Sequence, residues 1–330
     1  MTNMHITADI FCKPWAVLPE RLQMAVGLAQ RSSRRPSEDD IRARSNAFGI
    51  STGPRSPRSY GSAIAVIPIR GIISRRTNLL SEIFGWTSID KLTAQFRGVL
   101  RDPSVRAIVF DVDSPGGSVE GVPELAEEIY KSHGQKKSVA VANGMAASAA
   151  YWIASAAGEC VVIPSGQVGS IGVFIAHEDL SKALEQEGLK VTLVSAGKYK
   201  TDGNGIEPLS DSAREDMQAK VNAFYGMFVN SVARGRRASS ENVRGGFGQG
   251  RMVLAADAVR LGMADRATTL DQVMIRIASG RPDGNRSIGA GVPLSLRRRQ
   301  LELACLGSND GRTMGIEYFR EALRTLQARH

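Results

Sequence analysis

The residues of this chain that are best placed to do chemistry surround Ser148, where a strand-like run passes into a stretch of small residues. Residues 138–142 read as a strand, and the alanines that follow favour a helix, which we expect from Ala146 onward. A serine in the first turn of a helix lies near free backbone N–H groups and the positive end of the helix dipole. Those groups can hold the oxyanion that forms when the serine attacks a carbonyl carbon. The alternative is that Ser148 is one more small residue in a tightly packed, buried helix.

A second segment that could bind a ligand is Asp-Ser-Pro-Gly-Gly at residues 113–117, directly after a buried strand pattern. Two adjacent glycines allow backbone N–H groups to approach a ligand more closely than a side chain would permit. In α/β proteins the ligand site lies at the carboxyl ends of parallel strands, and both this segment and Ser148 follow a predicted strand. The alternative is a tight turn that binds nothing.

A nucleophilic serine needs a base, and the sequence offers two kinds. The four histidines are His5, His133, His177 and His330. Of these, His177 is the one placed to act, because the others lie at the chain ends or at the end of a surface-type helix. The other kind is lysine, which becomes a base only when burial lowers its pKa. Two lysines occur in Gly-Lys-Tyr-Lys at residues 197–200, a segment that also reads as a solvated turn.

Strand patterns and amphipathic helix patterns alternate along the middle of the chain. The predicted strands are residues 63–69, 107–113, 138–142, 160–163 and 191–194. The predicted helices are residues 88–100, 121–133, 178–187, 210–234 and 255–261. Strands and helices that alternate at this spacing predict an α/β domain with a largely parallel sheet.

The chain divides into three predicted regions. Residues 1–59 form an N-terminal helix, about residues 20–30, and a flexible linker rich in Arg, Ser, Pro and Gly. Residues 60–280 form the α/β domain. Residues 281–330 form a basic linker and a C-terminal helix over residues 316–328.

The composition argues against several classes of protein. The net charge of +9 comes from basic residues that are scattered or interrupted by acidic ones, without interleaved aromatic residues, which argues against nucleic acid as a partner. The three cysteines lie far apart and fit neither a metal site nor a disulfide framework. The N-terminus does not read as a signal peptide, and no window approaches the roughly 18 apolar residues of a membrane span. We therefore expect a soluble cytoplasmic protein.

Four motifs, taken in order, resemble the signal peptide peptidase A family. They are Asp-Ser-Pro-Gly-Gly at residues 113–117, Gly-Met-Ala-Ala-Ser-Ala-Ala-Tyr at 144–151, Gly-Ser-Ile-Gly-Val at 169–173 and Gly-Lys-Tyr-Lys at 197–200. The resemblance covers about residues 60–270 and implies a Ser–Lys peptidase with a ClpP/crotonase-like α/β fold of largely parallel sheets flanked by helices. Pro-Trp-Ala-Val-Leu-Pro-Glu at residues 14–20 resembles the phage and prophage branch, the prohead proteases related to capsid protease C.

The resemblance assigns a role to each matching residue. Ser148 is the nucleophile, and Lys200, in its neutral form, is the general base and later the general acid. Ser170 orients Lys200 through a hydrogen bond. The backbone N–H groups of Gly117 and Ala149 form the oxyanion hole. A further residue, Gly116, shapes the turn of that hole. The loop at residues 201–208 differs from that of the bacterial membrane enzymes, which bears on substrate preference.

The function implied by the resemblance is an ATP-independent serine endopeptidase of phage head assembly, acting in the host cytoplasm. Its protein partners are capsid, scaffold or portal proteins and further copies of this chain in a ring, and it needs no metal or organic cofactor. Self-cleavage within residues 31–59 or after residue 280 is a further hypothesis, because both segments are rich in small and polar residues.

Three alternatives remain open at this stage. One is a bacterial cytoplasmic peptidase that degrades signal-peptide fragments with the same chemistry. Another is a catalytically dispensable assembly protein on the same fold, which also supports acyl-CoA chemistry. The third is a ClpP-like triad in which His177 replaces the lysine as the base.

Overall fold

The computed structural model describes residues 13–23, 58–59, 64–76 and 86–279, and the structural statements below refer to those residues. The expected α/β class with largely parallel sheets is confirmed. The strands are β1 Trp15–Val17, β2 Arg58–Ser59, β3 Ile64–Arg70, β4 Ile73–Ser74, β5 Thr87–Ser88, β6 Ala107–Ser114, β7 Gly116–Ser118, β8 Lys137–Ala147, β9 Glu159–Val162, β10 Gln167–Gly169, β11 Met252–Leu254 and β12 Arg266–Ala267. The helices are α1 Ile89–Arg101, α2 Val122–Lys131, α3 Ala149–Ser155, α4 Ser181–Gln186, α5 Asp211–Arg236, α6 Ser240–Gly246, α7 Ala255–Leu261 and α8 Leu270–Ala278.

The larger sheet has the strand order β11-β10-β8-β6-β3-β2, and β9 pairs with both β8 and β12. The pairs β3–β6, β6–β8, β8–β9 and β8–β10 are parallel, whereas β2 and β11 are antiparallel to their neighbours. The smaller sheet has the order β1-β7-β4-β5, with β1 antiparallel to β7. Strand β8 first pairs with β6 and β9 and then, over residues 145–147, with β10, so its end reaches the position of Ser148.

Both faces of the larger sheet are covered, which explains why its central strands are continuous apolar runs rather than alternating ones. Ile108 and Phe110 belong to the main hydrophobic cluster, where Phe110 packs against Phe96 of α1 with ring centroids 5.9 Å apart. Val109, between them, belongs to a second cluster that includes Val273 of α8. Successive side chains of β6 therefore point to opposite faces, each covered by helices.

A buried ion pair joins the long helix α5 to the end of the sheet. Arg236 Nη1 lies 2.9 Å from Asp265 Oδ2, and the same oxygen accepts the backbone N–H of Cys160 at 2.7 Å. Arg236 Nε also donates to the carbonyl of Gly262 at 3.0 Å. Burial is the largest influence and acts to lower the pKa of Arg236. The hydrogen bond with Asp265 and the electrostatic interactions with Asp265, Cys160 and Tyr151 together outweigh it, so the pKa is raised and the guanidinium stays charged.

We predict that Asp265→Ala lowers the free energy of unfolding by about 3 kcal/mol, because it leaves the buried charge of Arg236 without its carboxylate. Urea denaturation followed by circular dichroism measures this change. The matched control is Asp257→Ala, which removes an exposed carboxylate paired with Arg260 and should cost less than about 0.5 kcal/mol. Equal losses for the two variants would contradict a structural role for the buried pair.

Most predicted elements are confirmed with small shifts in their bounds. The predicted helices at residues 88–100, 121–133, 210–234 and 255–261 are α1, α2, α5 and α7, and the predicted strands at 63–69, 107–113 and 160–163 are β3, β6 and β9. The helix predicted at 178–187 is shorter, as α4. None of the described helices has the length and apolar character needed to cross a membrane.

Two local predictions are wrong, and both errors have a physical cause. The helix expected from Ala146 begins at Ala149, because Ala146 and Ala147 continue β8 and pair with β10, which overrides the helix propensity of alanine. Residues 191–194 form no strand. They have no pairing partner in the described part of the chain, and Val194 is 96% exposed, so the packing that stabilises a strand is missing.

The predicted terminal regions fall mostly outside the described residues. Residues 19–23 are helical, as expected for the start of the N-terminal helix, and residues 24–30 lie outside the described part. Within the predicted linker at 31–59, only residues 58–59 are described, and they form β2, which pairs with β3. The C-terminal linker and the helix at 316–328 also lie outside.

Candidate active site

Ser148 occupies a sharp junction between β8 and α3 and has a backbone conformation that is uncommon for a non-glycine residue. Its φ is 54° and its ψ is −120°, and the residue is only 1% exposed. The Ser148 N–H donates to the carbonyl of Gly169 at 2.7 Å, and the Ser148 carbonyl accepts the N–H of Trp152 at 2.9 Å. Such a conformation persists only where the surroundings hold it, and it is often found at functional sites.

Helix α3 is fixed to the core by its two aromatic residues. The hydroxyl of Tyr151 donates to the carbonyl of Met263 at 2.8 Å, and the ring of Trp152 stacks on Phe228 with centroids 4.4 Å apart. Burial raises the pKa of Tyr151 well above its ordinary value, so its phenol remains a neutral donor. The helix that follows Ser148 therefore has little freedom to move.

The hydroxyl of Ser148 has one hydrogen-bond partner among the described residues, the carbonyl of Gly172, with Oγ and the carbonyl oxygen 3.4 Å apart. This distance is long for an O–H donor. A carbonyl oxygen is too weak a base to activate the serine. Among the described residues, the Ser148 hydroxyl therefore has no activating partner.

Ser170 is brought close to Ser148. It follows Gly169, whose carbonyl accepts the Ser148 N–H, and β10 runs parallel to the end of β8 with Gly169 opposite Ala147. Ser170 also has a positive φ, 52°, and is buried, and its N–H donates to the carbonyl of Arg251 at 2.9 Å. Two adjacent turns in uncommon conformations thus hold the two serines on neighbouring strands.

Lys200 makes no hydrogen bond with Ser148 among the described residues of one chain. It lies in an exposed turn in which its N–H donates to the carbonyl of Gly197 at 3.1 Å, and no hydrogen bond joins its side chain to Ser148 or Ser170. The chain around it, residues 189–200, is exposed along its whole length. Its apolar side chains face solvent, with Leu189 54% and Tyr199 59% exposed. One copy of the described residues thus shows no hydrogen bond between Ser148 and Lys200, and the dyad stays a prediction.

His177 is directed elsewhere in this arrangement. Its Nε2 lies 3.0 Å from the carbonyl oxygen of Asn204, which can only accept a hydrogen bond, so Nε2 carries the proton. That nitrogen is therefore unable to take a proton from a serine. No hydrogen bond joins His177 to Ser148 in the described ranges.

The Gly-Gly segment lies directly beside the serine. A Cβ on Gly116 would lie 3.0 Å from the Cβ of Ser148 and would overlap the carbonyl oxygen of Ala16, and the φ of Gly116 is 95°. Gly117 follows it in β7. The N–H of Ala149 is the first of α3 and has no acceptor within that helix. The structure thus places Gly116, Gly117 and Ala149 around Ser148.

Two features of this neighbourhood were not predicted from the sequence. One is β1, which pairs with β7 next to Ser148; the short apolar run between Pro14 and Pro19 was its only local signal. The other is a polar cluster in which Arg70 binds Asp111 and lies 3.6 Å from Asp113. These residues end neighbouring parallel strands, but nothing in their local pattern indicates that they meet. No group of three or more potential metal ligands is found in the described ranges.

We predict that Gly169→Ala destabilises the fold by about 2 kcal/mol, because its φ is 124° and an added Cβ would lie 2.7 Å from the carbonyl of Arg251. Thermal and urea unfolding measure the change. The control is Gly98→Ala in α1, where no atom lies within 4 Å of an added Cβ and stability should rise by about 0.5–1 kcal/mol. A neutral Gly169→Ala would show that the turn beside Ser148 tolerates ordinary backbone geometry.

Comparisons with known proteins cover this same region. Residues 131–281, which include both serines and Lys200, match the family model described as Peptidase family S49. The chain is 37% identical over 187 residues to Capsid assembly protease C of Escherichia phage lambda, covering 56% of this chain and 43% of that protein. It is 35% identical over 195 residues to Head-tail preconnector protein GP5 of Enterobacteria phage P21, covering 58% and 39% respectively.

Similarity extends to proteins of cells. Over 225 residues the chain is 31% identical to Protease 4 of Salmonella typhi, covering 68% of this chain and 35% of that protein. The chain thus spans about two fifths of the length of the curated relatives that it matches.

Proposed function

We propose that this chain, whose residues 131–281 match the model of Peptidase family S49, is a serine endopeptidase in which Ser148 is the nucleophile and Lys200 the general base. The observation that carries the proposal is the conformation of Ser148, a buried serine with positive φ at a strand–helix junction. The Cβ of Ser148 lies beside the Gly-Gly segment, and Ser148 directly precedes the first free N–H of a helix. This arrangement suits attack on a carbonyl group and stabilisation of the resulting oxyanion.

The first half of the proposed reaction forms an acyl-enzyme. Ser148 Oγ attacks the carbonyl carbon of the peptide bond while its proton passes to the neutral amine of Lys200. The negative charge on the carbonyl oxygen is held by the N–H groups of Gly117 and Ala149, each worth roughly 3 kcal/mol in the transition state. When the C–N bond breaks, the lysine ammonium gives its proton to the departing amine.

The second half returns the enzyme to its starting state. Water attacks the ester carbon, and Lys200 takes a proton from that water. The C–Oγ bond then breaks, Oγ recovers a proton from the lysine, and the peptide acid leaves. In this scheme Ser170 is a positioning residue that forms a hydrogen bond with Lys200. Its position beside Ser148 supports this role.

We further propose that the lysine reaches the serine only in an assembly of copies of this chain. Two observations support this. The described residues of one copy give the Ser148 hydroxyl no hydrogen bond to a base, and the segment that carries Lys200 exposes apolar side chains such as Leu189 and Val194. Exposed apolar surface of this kind is typical of contacts between protein chains. A ring is the assembly expected from the sequence resemblance.

The proposed substrates are proteins of phage head assembly, with capsid, scaffold and portal proteins as the expected partners, in the host cytoplasm. Two relatives support this choice, one described as a capsid assembly protease and one as a head-tail preconnector. The similarity to Protease 4 favours, as a second candidate, a bacterial peptidase with the same chemistry.

We predict that a fluorophosphonate labels Ser148 in the assembled protein, because the reagent reacts only with an activated serine. Labelling, located by mass spectrometry, should be absent in Ser148→Ala and at least about a hundredfold slower in Lys200→Ala. It should be unchanged in His177→Ala, the matched control for the alternative base. Loss of labelling only in His177→Ala would indicate a triad with His177 as the base instead of the dyad. No labelling of the assembled wild type would contradict the proposal of a serine peptidase.

We predict that two inactive variants restore each other when co-expressed with different tags and purified through both. A site that takes Ser148 from the Lys200→Ala copy and Lys200 from the Ser148→Ala copy is complete. Random mixing in a ring should make about a quarter of the sites complete, which fluorophosphonate labelling counts.

The control for this experiment replaces the Ser148→Ala copy by a copy that carries both substitutions, which supplies neither group and should restore nothing. If the co-purified pair of single variants is also inactive, the lysine does not come from a neighbouring copy.

A further inference from the structure

Strand β1 lies in a narrow space next to Ser148, with a backbone partner on each side. On one side it is antiparallel to β7, with Ala16 opposite Gly117 and Val17 opposite Gly116. On the other side Trp15 and Phe174 exchange two hydrogen bonds, of 2.8 and 3.0 Å. The strand is thus inserted between β7 and the segment 172–174 that also contacts the hydroxyl of Ser148 through Gly172.

The register of β1 directs one particular carbonyl towards the Gly-Gly segment. Leu18 N–H donates to the carbonyl of Pro115, and Val119 N–H donates to the carbonyl of Pro14. Because hydrogen-bonded and non-bonded pairs alternate along an antiparallel ladder, the pair between these two, Ala16 and Gly117, is also hydrogen-bonded. The Gly117 N–H, a proposed oxyanion donor, therefore points at the carbonyl oxygen of Ala16.

That carbonyl is also close to the nucleophile. The carbonyl oxygen of Ala16 and the Cβ of Ser148 both lie within 3.0 Å of the point where a Cβ on Gly116 would stand. The backbone of β1 is thus extended, pairs with β7 and places the Ala16 carbonyl near Ser148, as the backbone of a peptide substrate would need to do.

The side chains of β1 attach it to the domain through a small separate cluster. Trp15 and Val17 pack with Leu22 and Ile72, against Trp86 and Phe174, whereas the residues around Ser148 belong to the main cluster. Ala16, on the other face of the strand, is fully buried and faces the main cluster. Release of β1 would therefore break the small cluster and remove one alanine from the main cluster, while the contacts of Tyr151 and Trp152 that anchor α3 remain.

We propose that β1 occupies, within its own chain, the position in which an extended peptide binds to be cleaved, and so acts as a built-in competitor of the substrate. This inference rests on the proposed function of Ser148. A substrate must displace β1, pair with β7 in the same direction and place a small residue where Ala16 now lies. The affinity for substrate is then reduced by the fraction of molecules in which β1 is bound.

A phosphonate that copies β1 tests this competition. The probe is a diphenyl phosphonate of the tetrapeptide Lys-Pro-Trp-Ala, the sequence of residues 13–16. In Trp15→Ala, β1 loses its largest contact with the domain, so the inhibition constant of the probe should fall at least tenfold while its maximal inactivation rate stays within about twofold. Val17→Ala, a milder change in the same cluster, should also lower the inhibition constant of the probe, but by a smaller factor.

The matched control is Phe96→Ala, which removes another buried aromatic ring, in α1 and away from β1. It should destabilise the protein without lowering the inhibition constant. Labelling of Ser148 with an inhibition constant that is unchanged, or raised, in both β1 variants would overturn the proposal, because a merely structural strand would help the site rather than block it.

A binding measurement separates this proposal from the proposed function. A fluorescent peptide of residues 13–20 should bind to Trp15→Ala at least tenfold more tightly than to the wild type, whether or not Ser148 is reactive. Equal binding to both proteins would overturn the occupancy of this position by β1. Failure of the phosphonate to label Ser148 in any variant would instead contradict the proposed peptidase activity. The binding of the fluorescent peptide would still show whether β1 covers a peptide-binding position.

Discussion

The structure around the candidate site depends on the backbone of Ser148, which turns from a strand into a helix with φ of 54°. The hydrogen bond from its N–H to Gly169 and the anchoring of α3 by Tyr151 and Trp152 hold that turn from both sides. In this conformation the buried Ser148 hydroxyl lies 3.4 Å from the carbonyl oxygen of Gly172. The turn also brings the start of α3 beside the Gly-Gly segment. Strain at one residue is thus offset by packing over the whole of one helix.

The same construction bears on the proposed separation of nucleophile and base. The proposed oxyanion donors lie on β7 and α3, which are buried, whereas the proposed base lies on an exposed segment with apolar side chains. A buried nucleophile and an exposed base can be kept apart until copies of the chain assemble. Strand β1 adds a second level of control, because it covers the position that a peptide needs. Both levels would keep a peptidase inactive before its assembly is built.

How much could be read from the sequence depends on how local each feature is. The central strands, α1 and α5 follow from apolar periodicity, and the nearness of Ser148 and the Gly-Gly segment follows from their places at predicted strand ends. The role of Ser170 came only from the family resemblance. The start of α3 was misplaced because pairing of Ala146 with Val168 is a long-range contact that alanine propensity does not report. The insertion of Ala16 beside Gly117 was missed for the same reason, since it joins residues a hundred positions apart. The exposure of Lys200 was not expected, because its segment lacks the strand that the apolar run at residues 191–194 predicted.

The most direct test of this account is a crystal structure of the assembled protein after reaction with the Lys-Pro-Trp-Ala phosphonate. The account predicts a bond from Ser148 Oγ to phosphorus and a phosphoryl oxygen within hydrogen-bond distance of the Gly117 and Ala149 N–H groups. It also predicts Lys200 of a neighbouring copy beside Oγ, with the probe in place of β1 along β7. An adduct on another residue, or an adduct on Ser148 with no lysine beside it, would contradict the account.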